Sequence, residues 1–172
     1  MEELRQYTNA LAKHYQDYQV KLPLVAADMY LEGFHDLNKR LIDVCKIDKI
    51  ALENEWNTVS FNYREALIAH QNVVFILEPS GNIFYTSFNV EELTGYNAES
   101  LLQTSIEELQ QRELSDKQIA FIVENLQAKT PFEMMITNYH KNETAYICKV
   151  NCYPIWDLEG QLKNYILFVK AI

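Results

Sequence analysis

The stretch Val74-Phe75-Ile76-Leu77-Glu78-Pro79-Ser80-Gly81-Asn82-Ile83-Phe84-Tyr85 decides the fold. Val73 extends its first apolar run, which is rich in β-formers and too short for a core helix. Pro79-Ser80-Gly81-Asn82 is a turn signal, and Ile83-Phe84-Tyr85 supplies a second strand. Together they predict a β-hairpin. Downstream, residues 89–128 read as short helical pieces followed by a longer helix from Ser115 to Ala128, with Ser115 as N-cap. Pro131 resets the chain. Three strands then fit residues 132–140, 144–156 and 162–171, separated by Lys141-Asn142-Glu143 and Asp157-Leu158-Glu159-Gly160.

Upstream of the hairpin the period changes from two to between three and four. Leu4, Tyr7, Leu11, Tyr15 and Tyr18 predict a helix over 2–22, which Pro23 ends. Val25, Met29, Leu37, Leu41 and Val44 predict a second. A turn at Lys46 to Lys49 and a third helix over 50–69 follow, the latter carrying Leu52, Trp56, Val59, Tyr63 and Leu67. The expected class is α+β: a helical N-terminal region over 1–65, then a sheet domain over 66–172.

Composition narrows the function. The net charge is −9, from 15 basic and 24 acidic side chains. No basic patch is available for a phosphate backbone or an anionic membrane surface, so neither nucleic acid nor membrane is an expected partner. No apolar run approaches the roughly 18–20 residues of a membrane span. Met1-Glu2-Glu3-Leu4-Arg5-Gln6 lacks the order of a signal peptide. Cys45, Cys148 and Cys152 are odd in number and sparse, which predicts reduced thiols and a cytoplasmic protein. On one strand Cys148 and Cys152 would stand about 13 Å apart, too far to share a metal. The sequence has no Gly-x-Ser-x-Gly, no Gly-rich phosphate loop and no His-Glu-x-x-His, and an enzyme is not expected. Glu91-Glu92 and Glu107-Glu108 read as solvated helix faces.

The order of elements, with these turns, resembles the PAS domain family. The quoted hairpin carries the resemblance, together with Val90-Glu91-Glu92-Leu93-Thr94-Gly95-Tyr96, Tyr153-Pro154-Ile155 and Gly160. Gly81, Gly95 and Gly160 fall where that family turns its chain. The resemblance covers about residues 66–172 and implies a five-stranded antiparallel sheet with short helices on one face. Ser87 stands where the family often has Asn. Asn142-Glu143 replaces its usual Asn-Gly or Asp-Gly turn, with Asn142 expected in the left-handed region.

The resemblance implies sensing and signal relay. A ligand or partner shifts the core and helices transmit the change, in a homodimer belonging to a larger signalling protein with a downstream domain. The competing reading is a ligand-free interaction and dimerisation module. The cofactor stays open. Thr137-Asn138-Tyr139-His140-Lys141 resembles the strand on which the light-sensing branch places a flavin-contacting Asn. Ile106, Cys148 and Lys170 stand where that branch has its reactive Cys, a second Asn and a Gln, so covalent-adduct flavin is set aside. Residues 88–130 contain no His, so haem is set aside too.

If Asn138 faces a pocket, strand alternation assigns the pocket face. Phe132, Met134, Ile136, Tyr146, Cys148, Val150 and Cys152 join it, with Ile166 and Phe168 from the last strand. Met135, Ile147, Tyr153, Ile155, Tyr165, Leu167 and Val169 fall on the opposite face. That face is too apolar to stand in water, so helices or a second subunit are expected to cover it.

Overall fold

The computed structural model describes residues 24–57, 61–109 and 114–172. The predicted helix over 2–22 lies outside them. The chain divides into two units, Met1–Asp36 and Leu37–Ile172. In the first, the described residues are helical from Leu24, and Leu31 and Phe34 are exposed. All that follows concerns the second.

The sheet has five antiparallel strands: β1 (Val73–Leu77), β2 (Ile83–Thr86), β3 (Phe132–Tyr139), β4 (Ala145–Trp156) and β5 (Leu162–Ala171). Their spatial order is β2-β1-β5-β4-β3. The central strands β1 and β5 are buried on both faces, which explains their unbroken apolar runs. Gly81, at φ +92°, closes the β1–β2 turn, where its N–H donates to the Glu78 carbonyl at 2.9 Å. In the β3–β4 turn the left-handed residue is Glu143, at φ +66°, rather than Asn142. The Asn142 side chain instead accepts from the N–H and hydroxyl of Thr144, holding the turn from within.

Helix α1 (Leu24–Glu53) corrects the expected turn at Lys46 to Lys49. Neither Gly nor Pro occurs there, and Ile47, fully buried one turn after Val44, keeps the helix docked. The chain leaves the helix after Glu53 instead. Trp56 pairs with Asp157, and its indole N–H donates to Asn164 at 3.0 Å. Of the helix expected over 50–69, residues 50–53 end α1 and Tyr63–Ile68 form α2, capped by Asn62, while Val59 lies outside the described residues. Among the described residues, four helices then separate β2 from β3: α3 (Val90–Thr94), α4 (Ala98–Leu101), α5 (Ile106–Leu109) and α6 (Asp116–Ala128).

The sheet divides the core in two. On one face Val44, Ile47, Trp56, Tyr63, Ala66 and Leu67 pack with Val74, Ile76, Ile155, Ile166 and Phe168. On the other, Val90 and Leu101 pack with Phe75, Ile136, Cys148, Val150, Cys152, Tyr165, Leu167 and Val169.

The expected register of β5 is therefore reversed. Ile166 and Phe168 do not face the pocket; Tyr165, Leu167 and Val169 do. Cys152 stands opposite Leu167, and Val150 opposite Val169. The cause is a bulge between Ile155 and Trp156. Near the turn Trp156 pairs with Leu162, a register that would set Cys152 against Ile166. One extra residue on β5 moves Leu167 into that place, and a shift of one exchanges faces along the whole strand.

Candidate functional site

Between the sheet and α6 lies a cavity of about 570 Å³. That is the size of a typical small-molecule site. Its floor is Met134, Ile136, Val150, Cys152, Tyr165 and Leu167; its roof is Ile119, Ile122, Val123 and Leu126 of α6. Ser80, Gly81, Ser105 and Glu107 bring polar groups to the side nearest the β1–β2 turn.

Local sequence explains why α6 stands there. Ser115 and Gln118 form a reciprocal capping box, and Lys129 ends the helix at φ +53°. Gln118 Nε2 donates to the Met135 carbonyl at 3.4 Å, and the Tyr165 hydroxyl donates to the Leu126 carbonyl at 3.1 Å. Phe121 meets Phe132 edge-on at 5.8 Å. The helix is thus tied to β3 at one end and β5 at the other, and none of its residues is buried. The α5 wall is fixed by the Ile106 N–H, which donates to the Gly81 carbonyl at 3.1 Å.

A smaller void of about 30 Å³ adjoins, sharing Ile106, Ile136, Val150 and Leu167 with the first. Leu93, Asn138 and Tyr146 also line it. Asn138 Nδ2 donates to Cys148 Sγ at 3.4 Å, while its Oδ1 is buried with no partner among the described residues. Tyr146 stacks on His140, with ring centroids 4.4 Å apart, and burial pushes its phenol up to about 12.

Of the residues expected at the pocket, Met134, Ile136 and Val150 line the main cavity, and Asn138 and Tyr146 line the smaller one. Cys148 is fully buried on the same face. Ile166 and Phe168 lie across the sheet. Of those expected on the opposite face, Tyr153 and Ile155 pack in the cluster around Ile47, whereas Met135 and Ile147 are exposed. The roof residues of α6 escaped sequence reading, although their i, i+3, i+4, i+7 spacing marks an apolar stripe.

Burial raises the thiol of Cys148 to about 11 and that of Cys152 to about 12, while Cys45 is exposed. At pH 8 the thiolate fraction of either buried residue is then roughly a thousandth or less. One thiol per chain is expected to react rapidly with a disulfide reagent in native buffer, and three in denaturant. Rapid reaction of all three in native buffer would contradict the burial of the cavity floor.

A family model described as "PAS domain" matches residues 71–172. No curated protein matches by sequence. Among solved structures, one described as "Flavin Analogue Sheds Light on Light-Oxygen-Voltage Domain Mechanism" is 23% identical. It aligns over 67% of this chain and 88% of that one, with a TM-score of 0.58. The dark structure of the blue-light photoreceptor Aureochrome1 LOV is 21% identical, over 66% and 84%, with a TM-score of 0.59. A fungal LOV domain photoreceptor is 21% identical, over 59% and 74%, with a TM-score of 0.52.

These likenesses show the fold, and they correct the expectation that left the cofactor open with covalent-adduct flavin set aside: chains of this fold include a Light-Oxygen-Voltage domain described with a flavin analogue. The residues present fit such a group. The walls of the larger cavity are apolar, as a flat ring system requires, and the unpartnered Asn138 Oδ1 lines the smaller void that adjoins it. Among the described residues, no helix is long and apolar enough to cross a membrane.

Proposed function

The chain belongs to the PAS domain family, and from that premise we propose that it is a sensory and signal-relay module whose cavity takes a small, flat, largely apolar ligand. One observation carries the reading: α6, capped at both ends, holds Ile119, Ile122, Val123 and Leu126 over the cavity and buries none of its residues. Each apolar side chain covered by a ligand would contribute on the order of 1.5–3 kcal/mol. A flavin is the first candidate. Met134, Val150, Leu167 and the α6 roof would hold its ring in the larger cavity, and an edge that reached the adjoining void would meet Asn138. When bound, a flavin supplies blue-light absorption and redox chemistry.

Gently purified protein is expected to carry extra mass in native mass spectrometry. Its melting temperature is expected to rise when flavin mononucleotide, or an apolar probe such as anilinonaphthalene sulfonate, is added. Unadorned mass, with no rise from either probe, would remove the ligand reading.

The module is further read as a non-catalytic, cytoplasmic homodimer within a larger signalling protein, binding neither nucleic acid nor membrane. Free Cys45, Cys148 and Cys152 support a reducing compartment. Leu37, Leu41 and Ile42 are exposed along α1 and support helix-mediated dimerisation, which is also what a pure interaction module would use. Light scattering is expected to give twice the chain mass. Leu41→Glu with Ile42→Glu is expected to give a monomer of unchanged melting temperature. A monomeric wild type would overturn dimerisation.

A further inference from the structure

Among the described side chains of helix α1 is a carboxylate that water does not reach. Asp43 is 1% exposed. Its Oδ1 accepts from the Tyr85 hydroxyl at 2.6 Å, and its Oδ2 accepts from the Phe88 N–H at 2.8 Å. Lys46 Nζ stands 4.0 Å from Oδ1, and Lys39 Nζ lies 5.2 Å over the Phe88 ring. Burial, reinforced by the carboxylate, holds the Tyr85 phenol well above its ordinary range, so it stays a donor. The helix thus grips the end of β2 and the corner after it with charge-assisted bonds.

That corner joins the two halves of the core. β2 is an edge strand, and the chain rounds the sheet edge between Tyr85, on the α1 side, and Val90, fully buried on the cavity side. Ser87 is fully buried between them, and its hydroxyl accepts from the Val74 N–H at 2.9 Å. The same hydroxyl donates to Asn89 at 2.6 Å and draws that side chain away from the N-terminus of α3, which it does not cap. Leu93 and Thr94 of α3 line the smaller void beside Asn138 and Tyr146. Asp43 and the void are therefore linked through one backbone corner, without crossing the strands.

We propose that Asp43 is a latch that couples docking of α1 to the setting of α3, and so to the cavity side of the sheet. It rests on reading the domain as a relay, and it supplies that relay with a path around the sheet edge. A coupling path requires that both ends respond to one perturbation. Asp43→Asn keeps the size of the side chain but sets an amide against two donors, removing its charge and at least one good bond.

Hydrogen exchange of the full chain is the test. In Asp43→Asn, exchange is expected to rise on the order of tenfold in residues 44–53 and also in 90–95, while the paired amides of β4 and β5 keep wild-type rates. A rise confined to 44–53 would make Asp43 a plain anchor and overturn the latch; so would no rise at all. Tyr85→Phe removes one donor and keeps the ring. It is expected to raise both segments by a smaller factor, and it decides the matter if Asp43→Asn fails to fold. No ligand enters the measurement, so failure here leaves the cavity reading intact, and a protein without ligand leaves the latch intact.

Discussion

Ile166→Asp is expected not to fold. Ile166 is fully buried at the centre of the sheet, in the cluster formed with Val44, Ile47 and Leu67. The described residues that pack against it there are apolar, and an unpaired carboxylate in such surroundings costs at least about 4 kcal/mol. Typical domain stability is about 5–15 kcal/mol, and this is a large share of it. Its neighbour is the control. Leu167 points to the opposite face and borders the cavity. Ile166→Ala is expected to cost about 3–5 kcal/mol, and Leu167→Ala nearer 2, because the second side chain already has fewer packing partners. Urea melts of the two alanine variants measure the difference. Equal costs, or the reverse order, would contradict the register that the bulge imposes.

Val150→Phe is expected to abolish ligand uptake while leaving the fold intact. Val150 lines both voids and faces α6 across the larger one. A well-packed core resists added bulk at about 1–3 kcal/mol, but here the ring has a cavity to enter. The melting temperature should stay level or rise. A ligand losing the same volume should lose at least about a hundredfold in affinity, since the ring and the ligand would compete for one space. Titration with flavin mononucleotide or anilinonaphthalene sulfonate reads the affinity, and circular dichroism reads the fold. Undiminished binding would place the ligand elsewhere.

Much of this architecture is legible in the sequence because turns and strands are local. Pro79-Ser80-Gly81 marks the first hairpin, and each of the three C-terminal strands lies within a residue of its expected bounds. What failed depended on contacts distant in sequence. Tyr165-Ile166-Leu167-Phe168-Val169 is apolar at every position because β5 is covered on both sides, so alternation carries no information there and a single bulge decides the faces. Lys46 to Lys49 looks like a turn because nothing local shows that Ile47 is buried in one cluster with Tyr63 and Val74. Nothing local marks Asp43; only the return of β2 beside it, some forty residues later, makes it a buried acceptor. The cavity roof followed the same rule. Ile119, Ile122, Val123 and Leu126 predict an apolar face, but not that the face would stand over open space.

The placement of β1 beside β5 governs how the molecule can be made. The strand that emerges early from a ribosome finds its long partner only when residues 165–169 have followed it, about ninety residues later. Until then β1 has one short neighbour, β2, and an unpaired apolar edge. Such long-range pairing slows folding and leaves nascent chains prone to aggregate. Completion of the sheet thus waits for residues 165–169, and truncation anywhere before residue 165 should yield insoluble protein rather than a smaller domain.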